Sequence, residues 1–170
     1  MYNPLLDNAP TTWGGCAIRT DFRQGLKFFR IAQDETLDDN EKAWLYIRVF
    51  FENTPPLEGV FDFISLYVSG GEKKESSGKR VFDFNVDAGR LYAAFFQVYR
   101  IDLKTWKAHW WDFLELFKNL PEGTTLHTVM DIRGKKIDPK ADPEYRKQLA
   151  LAKAAVALEA EKIDIYGAWK

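Results

Sequence analysis

Apolar positions recur at helical spacing along most of the chain, and they predict seven helices behind a short hairpin. Near the N-terminus, β-compatible triplets at 11–13 and 16–18 flank Gly14-Gly15, which suits a two-residue turn, so residues 1–20 are predicted to form the hairpin. Two strands alone are marginally stable, so we expect this hairpin to pack on another element. The predicted helices cover approximately 22–33, 39–52, 57–66, 86–99, 105–117, 125–133 and 143–158.

Short polar side chains mark several of the predicted helix starts. Asp21, Asn85 and Asp142 are predicted N-caps, because their oxygens can accept from the unpaired N–H groups of a first turn. The pair Pro55-Pro56 is expected in the first turn of the third helix. The second helix is apolar almost all round, which predicts contacts on more than one side. The fourth helix has two apolar stripes, Leu91/Phe95/Val98 and Tyr92/Phe96/Tyr99.

One stretch of the chain reads as a linker. Residues 69–80 lack apolar side chains and are rich in glycine, serine and charge, which predicts an exposed, flexible loop. It separates N-terminal helices over 21–68 from C-terminal helices over 81–162, and 163–170 forms a tail. A length of 170 residues favours one domain. The predicted fold is therefore mainly α: a single bundle of six or seven helices with a small N-terminal β-hairpin.

Charge is balanced overall but segregated along the chain. The formal net charge is −1, so no global basic excess indicates nucleic-acid binding. Residues 31–62 hold eight acids and two bases, whereas residues 133–153 hold seven bases and three acids. These segments are either two solvated faces or complementary faces through which protomers self-associate.

Residue patterns that carry catalysis or ligand binding are missing from the sequence. The single cysteine, Cys16, excludes an intramolecular disulfide and a multi-cysteine zinc site. The only histidines, His109 and His127, have no metal-ligand spacing, and no glycine-rich phosphate loop occurs. No signal peptide or membrane span is recognisable. We therefore expect a soluble cytoplasmic protein that is not an enzyme and uses no metal or cofactor.

Aromatic residues make up 15% of the chain and are densest in the predicted fifth helix. Helical spacing puts Trp106 and Trp110 on one face, whereas Trp111 is rotated by about 100°. Core packing is the first interpretation of these rings. The second is that part of the ring surface is shown to a partner, because aromatic residues are enriched in interfaces.

The segment from Phe82 to Arg133 resembles a known family. It contains Phe82-Asp83-Phe84, Tyr99-Arg100-Ile101-Asp102-Leu103, His109-Trp110-Trp111-Asp112-Phe113 and Leu120-Pro121-Glu122-Gly123 in that order. This order is similar to the phage gene-product-fifteen family, small proteins of long-tailed phages and prophages, over about residues 20–155. The family pattern has glycine where Arg100 stands, so a differently shaped turn is expected there.

The resemblance implies a non-enzymatic tail assembly chaperone. Such a protein would bind the tape measure protein and help recruit major tail tube protein in the host cytoplasm, with no nucleic acid or membrane partner. The expected contact residues on this protein are the exposed members of one aromatic set: Trp106, Trp110, Trp111, Phe113 and Phe117.

Three other functions stay open at this point. A head–tail connector or tail-completion protein would remain in the virion, whereas a chaperone would leave. A DNA-binding regulator is disfavoured by the net charge of −1, although residues 133–153 are locally basic. An enzyme of unknown type is the last alternative.

Overall fold

The computed structural model describes residues 2–72 and 80–158. In these residues an antiparallel hairpin, β1 (Thr12–Trp13) and β2 (Cys16–Ala17), precedes seven α-helices. The helices are α1 (Phe22–Ala32), α2 (Asp39–Phe50), α3 (Val60–Val68), α4 (Ala88–Tyr99), α5 (Trp110–Lys118), α6 (Thr125–Gly134) and α7 (Pro143–Ala155). The mainly α prediction is confirmed. The predicted tail at 163–170, and 73–79 of the predicted loop, lie outside the described residues.

The chain divides into two compact units. Unit 1 contains the hairpin, α1, α2, α3 and α5, because residues 105–119 return to it. Unit 2 contains α4, α6 and α7 and is formed, among the described residues, from 80–104 and 120–158. The single-domain organisation predicted from chain length stays a prediction.

The hairpin is held by the end of α2. The amide of Arg19 donates to Phe50 O at 2.7 Å, and Glu52 N donates to Ala17 O at 3.2 Å. The Trp13 ring stacks on Phe63 of α3 with centroids 5.2 Å apart. These contacts supply the support that an isolated two-stranded hairpin lacks. They also end α2 at Phe50, two residues before the predicted end, because the next residue is drawn into an extended bridge with Ile18.

Local capping signals located some helix starts and missed others. Asp21 and Asp142 accept from first-turn amides of α1 and α7, which confirms both as N-caps, and Thr124 accepts in the same way from the first turn of α6. The predicted Asn85 cap was wrong, since the N-cap position of α4 is Asp87. The prolines at 55–56 precede α3, which begins after Gly59 in a left-handed conformation.

The predicted start of the fifth helix near Thr105 was also wrong. The N-cap of α5 is His109, so Trp106 lies outside the helix and does not share its face with Trp110. Backbone hydrogen bonds between chain segments explain the later start. Phe22 N donates to Ala108 O at 3.0 Å, and Trp110 N donates to Thr20 O at 2.9 Å. The residues just before α5 are therefore tied to the entry of α1 instead of continuing the helix.

Helices α1 and α5 meet at a glycine. A Cβ on Gly25 would lie 2.3 Å from Trp110 Cε3, closer than real carbon contacts allow. The Trp110 side chain is fully buried, and its Nε1–H donates to Val68 O at 3.0 Å. Gly25 lowers helix propensity by about 1 kcal/mol relative to alanine. At this position glycine leaves room for the Trp110 indole, which a larger residue would not.

Unit 2 is organised around a buried ion pair. Arg133 of α6 donates from Nη1 to Asp87 Oδ2 at 2.6 Å and from Nη2 to Asp87 Oδ1 at 3.1 Å, and both side chains are buried. Arg133 also donates to Val81 O at 3.0 Å, and Asp87 accepts from Arg90 at 2.8 Å. This network joins the start of α4 to the last turn of α6.

Gly25→Ala tests the α1–α5 contact. We expect unit 1 to lose about 1–3 kcal/mol of unfolding free energy, because the new methyl group overlaps Trp110. Gly89→Ala is the matched control, because nothing lies within 4 Å of a Cβ on this helical glycine. That control should be neutral or stabilising by up to about 1 kcal/mol. Equal denaturant midpoints for the two variants would contradict the packing described.

Asp87→Asn tests the buried ion pair. We expect a loss of about 3–5 kcal/mol in unfolding free energy, because the Arg133 charge stays buried without its carboxylate. The control is Arg90→Gln, which removes a half-exposed partner of the same carboxylate and should cost less than about 1 kcal/mol. The double variant Asp87→Leu/Arg133→Met should lose less unfolding free energy than the sum of the losses of Asp87→Leu alone and Arg133→Met alone. Additive losses in chemical denaturation would refute this coupling.

Candidate partner-binding surfaces

Two of the five aromatic candidates lie in the core of unit 1. Trp110 and Phe113 are each 0% exposed, and their rings stack at 5.4 Å. Phe113 also stacks on Phe22 of α1, with centroids 4.8 Å apart. A partner would reach these two rings only if the core opened. The core interpretation of the aromatic cluster therefore holds for both.

The other three candidates are half-buried. Trp111 donates from Nε1 to Tyr67 O at 2.8 Å, and its ring lies edge-on to Tyr2 at 5.0 Å. The Trp106 ring lies 5.7 Å from that of Phe22. Phe117 stacks nearly parallel to the buried Phe113 ring at 6.4 Å. Trp106, Trp111 and Phe117 thus keep part of their surface accessible while helping to hold unit 1 together.

His109 is a structural residue at the start of α5. Its Nδ1 accepts from Trp111 N at 3.0 Å, so in the neutral ring the proton is on Nε2, which donates to Pro10 O at 3.1 Å. Tyr67 Oη lies 3.3 Å from the same Nε2. Burial lowers the pKa of His109 below its ordinary value, although the Pro10 carbonyl and Asp112 oppose this shift. The neutral ring is thus the state that caps α5.

Sequence analysis placed Phe96 in an apolar stripe of the fourth helix but did not identify that part of this helix as an exposed apolar surface. Gly89, Ala93 and Phe96 follow one another at helical spacing on its solvent side, and Val86 lies in the turn just before. Val86 is 59% exposed and Phe96 is 50% exposed. These four residues are called the α4 face below. The opposite side of α4, with Leu91, Ala94 and Phe95, is buried.

Side chains beside the α4 face give it a defined edge. The half-buried Tyr92 ring is nearly parallel to that of Phe96, with centroids 6.5 Å apart, and Lys104 Nζ lies 5.3 Å from the Tyr92 ring centroid.

At the end of α4, Arg100 has a left-handed backbone with φ 57°, the region that favours glycine. The turn therefore takes a glycine-type shape although arginine occupies it.

Fewer cationic side chains of the basic segment at 133–153 are exposed for contact with another molecule than its charge count predicts. Arg133 is buried against Asp87, and Lys153 Nζ donates to Ile132 O at 2.9 Å and to Arg133 O at 2.8 Å. Two of its seven cations are therefore occupied within unit 2. The exposed lysines that remain are Lys135, Lys136, Lys140 and Lys147. Self-association through acidic and basic faces stays a prediction, and it now depends on these lysines.

Residues 2–72 and 80–158 contain neither a metal-ligand cluster nor a helix that could span a membrane. No group of three or more histidine, cysteine or acidic residues in that part of the chain is placed to hold a metal ion. None of the helices described there is long and apolar enough to cross a bilayer.

Comparison with known families decides the affiliation of the chain. The model of the family described as Bacteriophage Gp15 protein matches residues 15–158. The chain belongs to the bacteriophage Gp15 family. This confirms the resemblance seen around His109-Trp110-Trp111, and it makes the chain a bacteriophage structural or assembly protein. No curated protein and no solved structure matches this Gp15 protein.

Acid should destabilise this Gp15 protein through His109. Its folded pKa is lowered, so its contribution is fully present above the ordinary value of 6.5 and is lost as pH falls through the folded pKa. His109→Asn keeps an N-cap acceptor but has no ionisable side chain there, so the unfolding free energy should depend less on pH in this variant. The control Gln97→Ala, an exposed change on α4 that removes no ionisable group, should keep the wild-type dependence of stability on pH. Urea unfolding between about pH 7.5 and 5 measures both, and an unchanged slope in His109→Asn would rule out this role.

Proposed function

We propose that this Gp15 protein is a tail assembly chaperone that binds the tape measure protein. In this proposal it also helps recruit tail tube subunits, acts in the host cytoplasm and has no enzymatic activity. The observation that carries the proposal is the α4 face, an apolar helix surface that the described chain leaves exposed. Large exposed apolar surfaces on soluble proteins are typical of interaction sites.

The chemistry of the expected partner fits this face. A tape measure protein is a long, largely helical and partly apolar chain, which would aggregate if its apolar stripes stayed uncovered. Two helices pack best when one offers a ridge that the other can receive. Phe96 supplies a large side chain on the α4 face, whereas Gly89 and Ala93 leave room for the partner's side chains. An amphipathic helix could lie along these residues.

The half-buried aromatic residues of unit 1 are further candidate contacts in the same proposal. Trp106, Trp111 and Phe117 keep part of their surface accessible, and tryptophan is enriched among residues that dominate binding energy. Trp110 and Phe113 are left out of these candidate contacts because they fill the core.

Retention of the tape measure protein on tagged variants tests the α4 face. We expect Val86→Gln/Phe96→Gln to weaken binding at least about tenfold, because it removes both large apolar contacts. These side chains are exposed, so the variant should unfold within about 0.5 kcal/mol of the wild type. Leu151→Gln is the matched control, since Leu151 is exposed on α7 of the same unit. Undiminished retention by the folded double variant would refute the assignment.

The composition of finished virions separates the chaperone from a head–tail connector or tail-completion protein. A chaperone is absent from purified particles, whereas a connector is present in a fixed copy number. Abundant peptides of this chain in the mass spectrum of purified virions would favour the connector. Tape measure binding by the α4 face would then need another explanation.

A further inference from the structure

A surface cavity in unit 1 combines an indole with two arginines. It has a volume of about 610 Å³ and lies along the second half of α2. Ile47 and Phe51 are buried and form its apolar lining. Trp44, Arg48 and Arg19 line it as exposed side chains, and Trp44 is 55% exposed. None of these residues belongs to the α4 face or to the aromatic cluster of α5.

The Arg19 guanidinium is fixed in place by the end of α2. Its Nη1 donates to Phe51 O at 2.7 Å and also to Arg48 O. These bonds satisfy two carbonyls and neutralise part of the negative end of the helix dipole. They use only the two Nη1 hydrogens. The Nε and Nη2 hydrogens have no acceptor among residues 2–72 and 80–158.

The Arg48 guanidinium is unpaired in the described part of the chain. No acceptor for its side chain and no ion pair to it occurs there, although Glu52 lines the same cavity four residues later. Two arginines and one glutamate leave an excess of one positive charge on the lining. This single excess positive charge matches the charge of one carboxylate.

We propose that this cavity binds a carboxylate side chain of a partner polypeptide, with a neighbouring aromatic side chain of the partner packed on Trp44. Arginine recognises carboxylates through paired N–H donors, and an exposed indole offers a flat apolar surface for a ring. Six of the eight lining residues are exposed, so the cavity could not enclose most of a small molecule, as small-molecule pockets do. This site goes beyond the proposed function, since its residues are different from those proposed there and it recognises a different partner chemistry.

Titration of the full chain with a capped tetrapeptide tests this site. The peptide carries aspartate followed by phenylalanine, and its isostere carries asparagine instead. We expect the aspartate peptide to shift the indole N–H resonance of Trp44, which Trp44→Phe identifies, and to bind about tenfold more tightly than the isostere. Equal binding of the two peptides, or no shift at Trp44, would overturn the proposal. So would phenylacetate binding as tightly as the peptide, because the site would then recognise small carboxylates.

Two substitutions with opposite expected effects on peptide affinity distinguish loss of the site from loss of folding. Arg48→Gln should weaken binding of the aspartate peptide about tenfold, because it removes an unpaired charged donor. Glu52→Gln should tighten it, because it removes the repelling carboxylate, and a misfolded protein would not bind more tightly. Arg30→Gln, an exposed change of equal charge on α1 outside the cavity, is the control and should have no effect. Unchanged affinity in Arg48→Gln, or weaker binding in Glu52→Gln, would exclude the carboxylate assignment.

Discussion

The Trp110 indole is the contact on which unit 1 depends. Its ring lies against Gly25 of α1, its N–H donates to the last carbonyl of α3, and Phe113 stacks on it within α5. One side chain therefore connects three helices. The same contact explains why glycine occurs in the middle of α1, where it lowers helix propensity.

The most specific family motif is consequently a fold motif. In His109-Trp110-Trp111-Asp112-Phe113, the histidine caps α5, the first tryptophan fills the core, and the second reaches a carbonyl of α3. Family membership is therefore recognised from residues that build unit 1. The α4 face and the cavity beside Trp44 lie outside these five residues, and Trp111 is the one motif residue that is also a proposed contact.

Sequence reasoning succeeded where structure is decided locally. Asp21 and Asp142 could be identified as N-caps because a cap needs only its own first turn. The start of α5 could not be identified, because pairing of its preceding residues with the entry of α1 is a long-range contact. The same limit applies to the sites. Periodicity found both stripes of α4, but only packing in unit 2 decides that Phe95 is buried and Phe96 is exposed. The cavity depends on Arg19 reaching the carbonyls of α2, which no spacing rule reveals.

The return of α5 to unit 1 has a consequence for biosynthesis. The contact of Arg23 with Trp106 O spans 83 residues, so unit 1 is completed by long-range contacts. The ribosome releases α1, α2, α3 and then α4 before Trp110 exists to fill the space beside Gly25. Throughout that interval the ring of Phe22 lacks Trp106 and Phe113, the two rings against which it packs in the finished unit. Unit 1 therefore completes its core late in translation, and the nascent chain is most prone to aggregation before α5 emerges.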